Sequence, residues 1–308
     1  MTNHCSLPLD ISRRQFLAGS AAAIAALTAG LDALAAPATT PRRYPLLAFS
    51  KPFQDLSPDA TAELVAEVGW DGIECPVRKG GQIEPEKVED ALPAMVEALR
   101  KRGKTVGMIT TDITRPDARA EKVLRTAAKL GITRYRTGAW RYAKDKPIQA
   151  QLDELKITVR DLAALNQSLG ITGGIQNHSG ADSVGAAGWD LYELIRNLDP
   201  KHLGVCFDIG HATLEGGYSW PVQARLLEPF FAVVYVKDFA WTKTPKGARA
   251  EWTPLGDGLI HREFLTWLKT TNYAGPISQH HEYPLPKDRA ECVAMYRKDL
   301  KLLDQWLG

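Results

Sequence analysis

The sequence predicts an α/β protein folded as a closed (β/α)8 barrel, a TIM barrel. Three observations carry the prediction. Short apolar runs alternate with amphipathic ones over about 260 residues, the rhythm and length of eight strand–helix units. Several helical runs stop at a glycine, as at Gly103, Gly131 and Gly170, where a left-handed residue closes the last turn. The first strand leads into Ser50-Lys51-Pro52-Phe53, which lacks the glycine-rich phosphate turn often found in the competing doubly wound sheet.

The elements follow in order. Leu46 to Ser50 is an apolar first strand, and Pro58 to Val68 a helix with acidic residues early. Gly72-Ile73-Glu74-Cys75 is the second strand. Val88 to Arg102 is a helix whose last turn collects Arg100, Lys101 and Arg102 ahead of Gly103. Val106 to Thr110 is the third strand, with a helix from Arg119 to Leu130, and Arg134 to Thr137 is the fourth, with a long helix from Ile148 to Leu169. Thr172 to Asn177 is the fifth strand, followed by a helix from Trp189 to Leu198. Leu203 to Asp208 is the sixth, with a short helix near Pro221 to Leu227. Val233 to Asp238 and Pro276 to Glu282 are the seventh and eighth strands, with helices at Arg262 to Thr270 and Asp288 to Leu307.

Ahead of the barrel stands an export segment. Ser12-Arg13-Arg14-Gln15-Phe16-Leu17 is a twin-arginine signal, the apolar run Ala18 to Leu31 follows, and Ala33-Leu34-Ala35 is a small-x-small cleavage pattern. Residues 1–35 are therefore read as a signal peptide, 36–43 as a spacer and 44–308 as the catalytic barrel. The apolar run is too short and alanine-rich for a membrane span, and no later stretch approaches about 18 unbroken apolar residues. The expected location is the periplasm or cell exterior, with no stable membrane insertion after cleavage.

Composition narrows the classes of function. A net charge of +2, with basic residues spread along helices, does not suggest nucleic acid as a partner. Cys5 leaves with the signal, and Cys75, Cys206 and Cys292 show no paired spacing, so neither a disulfide framework nor a zinc knuckle is expected. With 44% hydrophobic residues the barrel can bury one large core without staples.

Barrel chemistry sits at the carboxyl ends of the strands. Those positions hold Lys51, Glu74, Thr110, Arg136, Gln176 with His178, Asp208 with His211, Lys237 with Asp238, and His280 with Glu282. Strand alternation puts His280 and Glu282 on one face and His281 on the other. So polar a ring is costly to bury unless its members bind a ligand or one another. Asp208, Glu282, Gln176 and a histidine could hold a divalent cation such as Mn, Mg, Co or Zn, which would polarise a sugar carbonyl. The alternative is a metal-free ring that grips a sugar by hydrogen bonds. Trp140, Trp189, Trp220 and Trp241 lie in or near the same loops, where they could stack on sugar faces or pack helices onto the barrel. Glu74 and Arg136 could also form a structural ion pair across the mouth, and Lys51 could be a solvated loop charge.

Six segments carry a family resemblance: Gly69-Trp70-Asp71-Gly72-Ile73-Glu74, Asn177-His178, Phe207-Asp208-Ile209-Gly210-His211, Val236-Lys237-Asp238, Pro254-Leu255-Gly256-Asp257-Gly258, and Gly275-Pro276-Ile277-Ser278 running to Glu282. With these the mature chain resembles, end to end, the xylose isomerase-like barrel superfamily of sugar isomerases and epimerases. The resemblance implies a four-residue metal site, which falls on Gln176, Asp208, Tyr235 and Glu282. Two positions depart from the superfamily pattern: Gln176 replaces a carboxylate and Tyr235 a histidine, with His280 or His178 the candidate replacement donor. The resemblance also makes His211 a substrate contact and Lys237 a group that could stabilise an enolate.

The expected metal set is then Asp208, Glu282, Gln176 and His280, the expected catalytic set Glu282, His211, Lys237 and Asp208, and the expected substrate contacts Glu74, Arg136, His178 and Trp220. With Gln176 neutral, the two-carboxylate epimerase mechanism is broken and a single-base reaction fits better. The leading reading is an exported isomerase- or epimerase-like enzyme that takes a proton beside the carbonyl of a non-phosphorylated sugar or glycoside. Elimination from a 3-keto-glycoside is the alternative, and a non-catalytic sugar-binding barrel the second. An abasic-site endonuclease would need more histidines and a basic groove. The partner is a small sugar or glycoside, and a homo-oligomer stays open.

Overall fold

The structure, a computed structural model, describes residues 43–308. The signal motif, the cleavage pattern, Cys5 and spacer residues 36–42 lie outside the described residues. Eight strands form a closed parallel barrel: β1 (Leu46–Phe49), β2 (Gly72–Pro76), β3 (Thr105–Thr110), β4 (Arg134–Arg136), β5 (Thr172–Gln176), β6 (Leu203–Asp208), β7 (Phe231–Val236) and β10 (Ile277–Gln279). β1 pairs with both β2 and β10, which closes the ring.

Helices pack around it: α1 (Pro58–Val68), α2 (Val88–Arg100), α3 (Ala118–Lys129), α4 (Ile148–Leu169), α5 (Trp189–Ile195), α6 (Ile209–Gly216), α7 (Trp220–Leu227), α8 (Glu263–Leu268) and α9 (Arg289–Leu307). Their local chemistry is plain in α1. The Ser57 hydroxyl accepts from Ala60 N, Pro58 fills the first turn, and Gly69 at φ 106° ends the helix. Among the described residues no helix is long and apolar enough to cross a membrane. Cys75 and Cys206 are buried, and all three cysteines of the barrel are free.

The apolar residues divide into two clusters. The larger joins strands to helices, with Leu46, Ile73, Phe207 and Ile277 facing outward against residues such as Leu92 and Phe264. The smaller contains Leu47, Met108, Cys206, Val233 and Tyr235. β2 and β7 are not neighbours in the sheet, yet the Tyr235 hydroxyl reaches Glu74 of β2, so this second cluster lies inside the barrel.

Three departures from the sequence reading shape the mouth. A helix, α6, starts directly after β6, where the sequence reading places no element before Pro221, because the Asp208 carboxylate caps it by accepting from His211 N at 3.0 Å. The seventh strand stops at Val236, and a hairpin of β8 (Asp238–Thr244) and β9 (Gly247–Thr253) follows at once. The last strand is only Ile277–Gln279, because β1 supplies no partner for the residues that follow.

Asp238 ties the hairpin down. Its carboxylate, 2% exposed, accepts from the backbone N–H groups of Phe239, Gly256, Gly258 and Ile260 at 2.8–3.1 Å. This is why the Pro254–Gly258 segment is glycine-rich: a Cβ on Gly258 would lie 2.2 Å from Asp238 Oδ1. Asp238→Ala strips a charged acceptor from four backbone donors and is expected to lower the unfolding free energy by about 3 kcal/mol. A lower urea midpoint at unchanged m-value would show it, whereas a loss below about 0.5 kcal/mol would contradict the anchoring role.

Candidate active site

Two carboxylates, one at the mouth and one a layer below it, are fully buried, and each is satisfied in a different way. Glu74, in the middle of β2, sits inside the barrel. Its Oε2 accepts from Ser278 Oγ at 2.7 Å and faces His280 Nε2 at 3.0 Å. Its Oε1 accepts from Tyr235 Oη at 3.0 Å and from the Thr110 hydroxyl. Burial opposes ionisation, but His280 and Arg136 outweigh it and hold the Glu74 pKa down at about 2. Burial likewise disfavours the His280 cation, yet Glu74 and Glu282 on either side raise its pKa.

Asp208, at the end of β6, is the second. Its Oδ1 caps α6, while Oδ2 accepts from Gln176 Nε2 at 2.8 Å and lies 3.3 Å from Lys237 Nζ. Despite burial, the Lys237 ammonium, helped by the backbone N–H of His211, holds its pKa down at about 2. Asn177 locks the strand ends together, donating to Asp208 O at 3.0 Å and accepting from Asp208 N at 2.7 Å. The Gln176 amide is oriented from its other side, since Arg136 Nη1 donates to Oε1 at 2.7 Å.

Lys237, 3% exposed, connects this group to the cavity. Its ammonium lies 2.9 Å from His211 Nε2 and 3.5 Å from Glu282 Oε1, and 4.2 Å from the centre of the Trp252 ring. Burial pushes the His211 pKa well below its ordinary value, so the imidazole is neutral and accepts from the ammonium. Glu282 also lies 3.6 Å from His280 Nδ1. Burial is again outweighed, here by His280 and Lys237, and Glu282 stays ionised.

Above these groups opens a cavity of about 280 Å³. Glu282, Gln176, Arg136, His178, Lys51 and Trp140 line it, together with Phe49, Arg78 and Asp112. His178 Nδ1 lies 2.8 Å from Ser179 O and therefore carries its proton there, leaving a lone pair on Nε2. Burial lowers the His178 pKa and keeps this ring neutral. It packs on His211 with 4.1 Å between ring centres. Glu282 accepts from Lys237 through Oε1, and among the described residues no hydrogen bond falls on Oε2.

The structure places Asp208, His211, Lys237 and Glu282 together, with His178, Gln176 and Arg136 beside them. His211, 1% exposed, does not line the cavity, and two members of the expected substrate set lie elsewhere. Glu74 is sealed inside the barrel by Ser278, Tyr235 and His280, and it forms no direct pair with Arg136, which binds Gln176 instead. Trp220 opens α7 and is buried against His261 and Phe264, away from the cavity wall. Trp189 and Trp241 are exposed, and only Trp140 of the four tryptophans lines the cavity. Sequence reasoning missed Trp252 and Arg78, which lie on segments to which it assigns no element. The signal for Trp252 was alternation across Glu251, Trp252 and Thr253.

Comparison with known proteins decides the family. A model described as xylose isomerase-like TIM barrel matches residues 62–306. The chain belongs to that family. Residues 10–30 match the twin-arginine translocation signal sequence, so the family member carries an export signal. An uncharacterised protein of Methanocaldococcus jannaschii is 30% identical over 129 residues, 41% of this chain, and the chain spans only 42% of that relative's length. A xylose isomerase-like barrel protein from Mycobacterium smegmatis, solved with magnesium, superposes with TM-score 0.65 at 17% identity, covering 87% of this chain and 100% of the other. The 3-keto-D-glucoside 4-epimerase from E. coli gives 0.66 at 14%, covering 85% and 99%. The probable 3-DHS dehydratase of Bacillus anthracis gives 0.66 at 14%, covering 85% and 98%. At these identities the likeness is one of fold.

A structural relative was solved with magnesium, but the donors here do not fit a divalent ion. Among the described residues, no three His, Cys, Asp or Glu side chains converge as metal ligands. Gln176 turns its N–H group toward Asp208 Oδ2, His280 Nε2 is engaged by Glu74, and Tyr235 bonds Glu74. The Lys237 ammonium stands between Asp208 and Glu282. The four residues of the expected set, Asp208, Glu282, Gln176 and His280, are engaged in a network of internal ion pairs and hydrogen bonds.

The Glu74 pKa of about 2 lies below its ordinary 4.5, so its contribution to stability is complete above pH 4.5 and is lost as pH falls toward 2. Glu74→Gln is expected to cost about 3–5 kcal/mol at neutral pH, leaving buried partners around a neutral amide. Its thermal midpoint should also fall less than that of the wild type on acidification through this window. An unchanged pH dependence would contradict the assignment.

Proposed function

We propose that the protein is an exported enzyme that acts on a non-phosphorylated sugar or glycoside, removing a proton from the carbon beside a carbonyl. The observation that carries the reading is Glu282. It is an ionised carboxylate at the barrel mouth, held through one oxygen by Lys237 and His280, with the other oxygen open to a sugar-sized cavity. Glu282 Oε2 takes the proton. Arg136 and Lys51, which also line the cavity, supply N–H donors to the oxygen on which negative charge develops. His178, neutral with a free lone pair on Nε2, accepts from a sugar hydroxyl, and Trp140 offers an apolar face. Export places the enzyme in the periplasm or outside the cell, where sugar phosphates are scarce.

Gln176 favours a second reading of the same first step. An uncharged amide stands on the cavity wall where a second carboxylate would serve two-base epimerisation, and the other wall carboxylate, Asp112, is bound to Arg119 at 2.8 Å. With one base, the carbanion can collapse by expelling a substituent from the neighbouring carbon, which is elimination from a keto-glycoside.

Both readings predict exchange of the substrate's α-hydrogen with solvent. In D2O, NMR of 3-keto-glycosides and free ketoses incubated with the protein should show deuterium entering beside the carbonyl. Glu282→Gln should slow that exchange by about 10²–10⁴-fold while sugar binding persists. Binding without exchange by the wild-type protein would instead identify a sugar-binding barrel.

A further inference from the structure

We propose that Lys237 is the resident cation of this barrel mouth, its ammonium taking the place between Asp208 and Glu282 that a divalent ion would otherwise fill. Nζ lies 3.3 Å from Asp208 Oδ2 and 3.5 Å from Glu282 Oε1, so one ammonium bridges a carboxylate at the end of β6 and one on the segment that follows β10. It is also a closed position. His211 Nε2 accepts from the ammonium at 2.9 Å and the Trp252 ring covers it at 4.2 Å. A cation this buried persists only where paired charge and a ring face replace its water.

The remaining donors are arranged for a lysine and against a metal. Metal binding needs oxygen or nitrogen lone pairs about 2.0–2.6 Å from one centre. Arg136 fixes Gln176 so that its amide presents N–H, not oxygen, to Asp208. An ammonium and a divalent ion within a few ångströms of each other in a buried site repel strongly. The two therefore exclude each other. Lys237 is a positioning residue: it does not line the cavity, and it acts by holding Glu282 ionised and oriented with Oε2 outward. The inference deepens the proposed sugar site and rests on it only in that role.

Calorimetric titration of Mn²⁺ into the chelator-treated protein tests this without a substrate, so its outcome stands apart from success or failure on sugars. The wild-type protein should show no binding at this site tighter than about 1 mM. Lys237→Gln, which empties the gap, should bind Mn²⁺ at least about tenfold more tightly, and adding Glu282→Gln should abolish the gain. Binding by the wild type that is unaffected by Glu282→Gln lies elsewhere on the surface and upholds the assignment. One Mn²⁺ per wild-type chain, lost in Glu282→Gln, would overturn it, as would a folded Lys237→Gln variant with no gain. Should Lys237→Gln not fold, the wild-type and Glu282→Gln titrations decide between the same two results.

Discussion

Asp208 is fully buried at the end of β6, and an ionised carboxylate there is tolerable only if nearly every lone pair has a partner. Much of the mouth follows from that constraint. One oxygen is satisfied by the first turn of α6, which is why a segment containing Gly210 and Thr213 is helical at all. The other draws in Gln176 and Lys237. Lys237 then has charge left over for Glu282, and Gln176 for Arg136, so the ring at the cavity floor is organised outward from a single buried charge.

The barrel interior repeats the logic one layer deeper. Glu74 gathers hydroxyls from β3, β7 and β10 together with His280, stitching non-adjacent strands across the barrel axis. His280 links the layers, with Glu74 on one ring nitrogen and Glu282 near the other. Two acidic positions that look alike in the sequence thus divide their work. Glu74 stabilises the closed sheet, and Glu282 faces the cavity.

Most of the fold was legible because parallel barrel strands are buried on both faces and read as short apolar runs, each answered by an amphipathic helix. The strand-end residues followed from the same geometry. What was not legible depends on contacts distant in sequence. The hairpin β8–β9 has only one clearly buried strand end, so its alternation is faint, and Trp252 within it gave no sign of covering Lys237. Nor could spacing reveal that Tyr235 would turn to Glu74, or that the Lys237 ammonium would stand between two carboxylates expected to hold a metal. Alternation fixes which face a residue occupies. It does not say which of several neighbours wins a hydrogen bond.

In this arrangement the positive charge between Asp208 and Glu282 belongs to the chain itself, on Lys237. A crystal structure of the protein grown with manganese, with anomalous data collected near the metal edge, tests that most directly. The lysine-centred arrangement predicts Lys237 Nζ density between the two carboxylates and no anomalous peak there. A manganese peak coordinated by Asp208 and Glu282, with Lys237 swung away, would contradict it.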